Sequence, residues 1–202
     1  MQTEAVAHDA LLHASRRVDW RFLLPRPDLG RVAYIGESDP ELIQSLQVFS
    51  DELSVSQSST ANGRESSFDL VVMRNATLAD LEAGRKLLNP GAWLYVEVDR
   101  PQQLKRARAA RSARGYARSL RKLGLVDVSA YVHWPDFSSC RAIFPLEDAV
   151  AVRYGLQRGR VNSARLVTRL ARLLALTHQL AHFVPCASVV GRAPSSGEEG
   201  AR

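Results

Sequence analysis

The stretch Arg31-Val-Ala-Tyr-Ile-Gly-Glu-Ser-Asp-Pro-Glu-Leu42 decides the fold. Val32 to Ile35 is a short apolar, β-prone run, and Gly36 admits backbone angles closed to other residues. Ser38 and Glu41 spell a capping box for a helix opening at about Asp39. In open α/β sheets ligands sit beyond the carboxyl ends of the strands. A helix N-terminus there offers unpaired N–H groups and the positive end of its dipole to an anion. Gly36, Glu37 and Ser38 are therefore candidate binding residues, with Glu37 as an acceptor for an amine or hydroxyl. The competing reading is that Gly36 only makes the turn and Ser38 only caps the helix.

Working outward, residues 1 to about 30 read as a helical lead-in that lies over the sheet. Ala5, Leu11, Leu12, Val18 and Phe22 are its expected buried positions, and Pro25 and Pro27 end it. Leu42, Ile43, Leu46 and Phe49 keep helical spacing to about residue 49. Leu53 to Gln57 is a weaker strand, and residues 58 to 63 form a polar loop. Phe68 to Met73 is a buried strand, followed by a helix over 77 to 88 with Thr77 and Asp80 as a second capping pair. Asn89-Pro90-Gly91 then reads as a turn before a strand over 92 to 98. Near-continuous apolar strands alternating with helices are the pattern of a parallel sheet covered on both faces.

A basic amphipathic helix is expected over 103 to 123, ended by Gly124. A strand follows over 126 to 134, and a further extended piece over 140 to 144. Helices over 147 to 158 and 163 to 182 lead to a last strand over 187 to 191. The segment from 194 to 202, rich in Ser, Gly and Glu, is expected to be a disordered tail. The expected organisation is thus a lead-in over 1–30, one α/β domain over 31–193, and this tail.

With 202 residues, 46% of them hydrophobic and 24% charged, the chain suits one globular domain whose core needs no staples. Cys140 and Cys186 lie far apart without metal-ligand spacing, which argues against a disulfide framework or zinc site and for a reducing compartment. Glu4 and Asp9 break any signal-peptide pattern. The apolar segment 166–184 is interrupted by Arg169, Arg172, His178 and His182, so the expectation is a cytoplasmic protein without a membrane span. The net charge of +6 hides a split. Residues 1–99 hold 9 Arg/Lys against 15 Asp/Glu, and residues 100–202 hold 18 against 6. The basic second half is a candidate contact for an anionic surface, or a composition bias toward Arg.

Taken together, the glycine turn after the first strand, the Phe68-Asp69-Leu70-Val71-Val72 strand and the segment Leu87-Leu88-Asn89-Pro90-Gly91-Ala92-Trp93-Leu94 resemble the class I S-adenosylmethionine-dependent methyltransferases. The resemblance spans most of residues 31 to 192. It implies a Rossmann-like doubly wound, mostly parallel sheet with an antiparallel C-terminal strand, in a three-layer sandwich. The strand pair 126–134 and 187–191 would close it. It also implies S-adenosylmethionine as cofactor, with Arg74 and Asn75 presented to cofactor or substrate from the end of the second buried strand; Asp99 and Arg100 hold the equivalent place after the next one. The chain departs from the family pattern at Tyr34, where the family has an acid, at Ser38, where it has a second glycine, and at Gln57 and Ser58, where an acid would meet the ribose.

His133-Trp134-Pro135-Asp136-Phe137 gathers a possible base, a carboxylate and two aromatic faces after a strand. For methyl transfer to oxygen or nitrogen, His133 or Asp136 is the candidate to take the acceptor proton. The plainer reading is a turn anchored by aromatic packing. His178 and His182, four apart on a helix, lack a visible third ligand, so no metal site is expected. There is no P-loop, nucleophile elbow, zinc-protease motif or Gly-x-Gly-x-x-Gly. Two functions follow. The first is a methyltransferase acting on a small-molecule or sugar-like acceptor. The second is a catalytically inactive member of the fold that binds or scaffolds a protein partner. A third reading is a peripheral domain held on anionic membrane or nucleic acid.

Overall fold

The computed structural model describes residues 11–57, 68–99, 112–148, 150–152, 154, 184 and 186–198. A helix over 11–17 (α1) and a 3-10 turn, Asp19–Leu23, precede β1 (Arg31–Ile35), α2 (Pro40–Phe49) and β2 (Glu52–Ser56). Then come β3 (Phe68–Arg74), α3 (Leu78–Leu87), β4 (Leu88–Asp99), α4 (Ala113–Lys122), β5 (Val126–Trp134), β6 (Ala142–Pro145) and β7 (Cys186–Arg192). Among the described residues the sheet has seven strands in the order β2-β1-β3-β4-β7-β5-β6. β1 pairs parallel with both β2 and β3, and β5 pairs antiparallel with β6. This is the mostly parallel Rossmann-like α/β fold expected, and the strands at 126–134 and 187–191 are indeed neighbours in it. The chain forms two compact units, Met1–Tyr95 with Arg192–Arg202, and Val96–Gly191.

In the first unit the strands are apolar because both faces are covered. Val32 to Ile35 of β1 and Leu70 to Met73 of β3 are buried throughout. α2 sends Leu42 and Leu46, one turn apart, into the core. α3 opens with the expected capping box, in which Thr77 and Asp80 satisfy each other's backbone N–H groups.

Two expectations need correction. The Pro-Gly pair does not separate α3 from a later strand, because β4 starts at Leu88. Pro90 faces solvent, and the Gly91 N–H, shared by the Ala193 and Pro194 carbonyls at 3.2 and 3.3 Å, keeps the segment in extended pairing. In the lead-in, Val18 is buried, but Leu11, Leu12 and Phe22 are exposed; Ala14, Arg17, Trp20 and Arg21 point inward instead. The helix gives way to a 3-10 turn at Asp19, which rotates the inward face. Trp20 then stacks on Tyr95 of β4 with ring centroids 3.8 Å apart. Arg21 donates to the Ser15 carbonyl at 3.2 Å and lies over the Phe49 ring of α2 at 4.2 Å.

In the second unit α4 buries Ala113, Tyr116, Ala117 and Leu120 and exposes Arg114, Arg118 and Lys122. It ends at Gly124 as expected, where the glycine N–H donates to the Arg121 carbonyl at 3.1 Å. The expectations for 103–111 and 163–182, including His178 and His182, lie outside the described residues, as does half of the helix expected over 147–158. Among the described residues no cluster of His, Cys, Asp or Glu has the makings of a metal site, and no helix is long and apolar enough to cross a membrane.

The entry to β1 depends on Gly30. Its φ is +61°, and a Cβ there would stand 2.7 Å from Asp69 Oδ2, the atom that accepts the Arg31 N–H at 3.0 Å. Gly30→Ala is expected to cost about 1–3 kcal/mol in urea unfolding, from the left-handed backbone and the displaced carboxylate together. An unchanged midpoint would contradict this.

Candidate functional site

From β1 the chain crosses to β2 on one side and then to β3 on the other, so strand order reverses between β1 and β3. This is the switch point where open α/β sheets form a crevice. The loops leaving β1 and β3 stand side by side there, because Ile35 pairs with Met73 in register. Gly36 has φ +150°, and its N–H donates to the Ser56 carbonyl at 3.0 Å. A Cβ on Gly36 would meet the Arg74 backbone N and O at 3.7 Å, an ordinary contact, so the backbone angle and not space calls for glycine. Tyr34 is buried, and its hydroxyl donates to the Glu37 carbonyl at 2.6 Å, which pins the turn from beneath.

The cap of α2 differs from the expectation. Asp39, not Ser38, is the N-cap: its Oδ1 accepts the Leu42 N–H at 3.1 Å. Pro40 takes the first helical position, where its preset φ fits and its missing N–H costs nothing, so the cap falls on the residue before it. Ser38 is left exposed in the loop beside Glu37. The other oxygen of Asp39, Oδ2, accepts from Arg17 Nη2 of α1 at 3.2 Å and from Arg74 Nη1 at the end of β3. The side chains of Arg17, Asp39 and Arg74 are 1%, 11% and 22% exposed. Burial pushes the Asp39 carboxyl pKa up, but the Leu42 N–H and the two guanidinium groups outweigh it and hold the value below the ordinary carboxylate range.

The crevice thus brings together Gly36, Glu37, Ser38 and Arg74. Asn75 follows with φ 48°, buried, in a left-handed conformation that asparagine tolerates better than most residues. Arg17 and Asp39 belong to the same cluster but were absent from the sequence candidates. The Asp39-Pro40 pair was the legible signal, as an N-cap followed by proline at the first helical position.

His133 and Asp136 lie in the second unit. His133, on β5, is buried; its Nε2 lies 2.8 Å from Ser188 Oγ on β7, and its Nδ1 lies 3.8 Å from Cys140 Sγ. Its ring tilts against Phe137 with centroids 4.7 Å apart. Asp136 accepts from the Ser139 N–H at 2.7 Å and the Ser139 hydroxyl at 2.9 Å, organising the loop between β5 and β6. Each candidate base is therefore engaged by internal partners. Trp134 precedes Pro135 through a cis peptide bond.

No protein-family model matches the sequence, and neither does any curated protein. Solved structures do match in fold. Phosphoethanolamine N-methyltransferase 2 of Haemonchus contortus, solved with phosphomonomethylethanolamine and S-adenosylhomocysteine, aligns at 12% identity and TM-score 0.52 over 90% of this chain and 53% of its own. The chain thus spans about half the length of that enzyme. A possible histamine N-methyltransferase of Thermotoga maritima aligns at 13% identity and TM-score 0.51, over 90% of this chain and 89% of the other. An S-adenosylmethionine-dependent methyltransferase of Archaeoglobus fulgidus gives 10% identity and TM-score 0.52, over 89% and 94%. At these identities the likeness establishes the class I methyltransferase-like fold.

The Asp39 cluster sets a pH dependence. Because the folded-state pKa of Asp39 lies below its unfolded value, its ionised form stabilises the fold above the unfolded pKa, and that contribution is lost as pH falls through the folded value. Asp39→Asn removes the carboxylate charge that faces the buried Arg17 and is expected to cost about 3 kcal/mol at pH 7. Thermal melts of both proteins should converge as the wild-type carboxylate protonates in acid. A constant gap from pH 7 to acid would contradict this assignment.

Proposed function

We propose that this chain, which has the class I S-adenosylmethionine-dependent methyltransferase fold, binds that cofactor at the crevice between β1 and β3 and transfers its methyl group to a small-molecule or sugar-like acceptor. The observation that carries the reading is the charge distribution at the switch point. The guanidinium groups of Arg17 and Arg74 meet there on Asp39, and the exposed Glu37 stands in the neighbouring turn. A cation and an anion at one crevice suit the carboxylate and amine of an amino-acid moiety. When bound, S-adenosylmethionine supplies an electrophilic methyl group on a sulfonium. Gly36 sets the turn, Glu37 and Ser38 line it, and Arg74 and Asn75 lie at the β3 end. The protein's contribution is to hold the reactants in line. His133 and Asp136 are the proposed acceptors of a substrate proton, and transfer at either requires exchange of an internal hydrogen bond with Ser188, Cys140 or Ser139.

A second reading, an inactive binding module, is favoured by one feature of the same crevice. Asp39 spends the helix N-terminus and both arginines on an internal carboxylate, while Tyr34 occupies the place where the resembled family has an acid. In that reading the basic second half is the contact for a protein partner.

Calorimetric titration with S-adenosylmethionine and S-adenosylhomocysteine separates the two. Micromolar binding that weakens at least about tenfold in Gly36→Val, with an unchanged circular dichroism spectrum, is the expected result. A folded protein that binds neither compound would exclude the enzyme reading and leave the module.

A further inference from the structure

We infer that Cys140 is a nucleophilic thiol, a modification site for soft carbon electrophiles, with His133 as the group that takes its proton. The pair is built into the β5–β6 hairpin and does not rest on the methyltransferase reading. His133 pairs across the strands with Ile143, and Cys140 closes the loop before β6 begins at Ala142. Two anchors hold that loop. The Asp136 carboxylate binds Ser139, and the Arg141 N–H donates to the Trp134 carbonyl at 2.8 Å. They fix Sγ 3.8 Å from His133 Nδ1; the thiol donates to the Ala142 carbonyl at 3.5 Å, and rotation about the Cβ–Sγ bond turns the same proton to Nδ1.

Ser188 orients the imidazole from the opposite side. When Nε2–H donates to the Ser188 hydroxyl, 2.8 Å away, the lone pair of Nδ1 faces the thiol. The two cysteines of the chain differ in access. Cys186 is buried in β7, whereas Cys140 is partly open to solvent. A partly exposed sulfur beside an oriented imidazole is the microenvironment that generates thiolate, the nucleophilic form, and the arrangement is that of a nucleophile, a base and an orienting third group. With an α-halo amide the sulfur–carbon bond forms as the carbon–halogen bond breaks. Halide leaves with the electron pair, and the thiol proton goes to His133 Nδ1.

The test is iodoacetamide labelling of the full chain, with each cysteine followed by peptide mass spectrometry over time. In the native protein Cys140 should label about tenfold faster than the same residue in the urea-unfolded chain, and Cys186 should label more slowly than in that chain. His133→Gln, confirmed folded by circular dichroism, should bring Cys140 down to the unfolded rate or below. Native Cys140 labelling no faster than in urea would overturn the inference without recourse to any variant. An unchanged Cys140 rate in folded His133→Gln would overturn the role given to His133.

Discussion

One carboxylate ties together three parts of the first unit. Asp39 caps α2 through the Leu42 N–H, and its second oxygen binds Arg17 from the lead-in and Arg74 from the end of β3. The arrangement answers a physical need. A guanidinium as buried as that of Arg17 is tolerated only with a hydrogen-bonded counter-charge, and a helix N-terminus needs acceptors for its unpaired N–H groups. A single aspartate meets both needs at once. The lead-in is thereby anchored at the switch point, and the stack of Trp20 on Tyr95 extends the same attachment along the sheet.

That economy shapes the chemistry available to the crevice. The positive end of the α2 dipole and two arginines would make a strong anion site, and Asp39 neutralises part of it. What results is a crevice of mixed charge, two guanidinium groups and a carboxylate beside an exposed Glu37, a setting suited to a zwitterion more than to a polyphosphate. The turn itself is held at two points. Tyr34 holds it from below, and Gly36 is tied to Ser56 of β2 by its N–H. In the second unit, the groups suited to proton transfer are organised by neighbours on adjoining strands and loops, and the same organisation that occupies His133 orients Cys140.

The architecture was legible because it depends on local patterns. The apolar runs at 32–35 and 70–73 have no exposed face to interrupt them, and Thr77 with Asp80 satisfies a helix start within four residues. The site was only partly legible because it depends on long-range pairing. Ser38 and Glu41 satisfied a local rule, yet the proline at 40 moved the cap to Asp39, and only the fold reveals that two arginines 22 and 35 residues away converge on it. The lead-in was misread for a related reason. Helical periodicity carried through 11–23 places Phe22 inside, while the 3-10 turn at Asp19 turns Trp20 and Arg21 inward instead. His133 was visible as a residue type, but its partners come from β7 and from the hairpin loop, which no spacing rule links to it.

The most direct test of the central claim is a crystal structure of the protein grown with millimolar S-adenosylhomocysteine. The account predicts density for the ligand between residues 36–39 and 74–75, with its amino-acid end against Glu37 and the Arg17–Asp39–Arg74 cluster. Ordered ligand elsewhere on the chain, with this crevice empty, would contradict it.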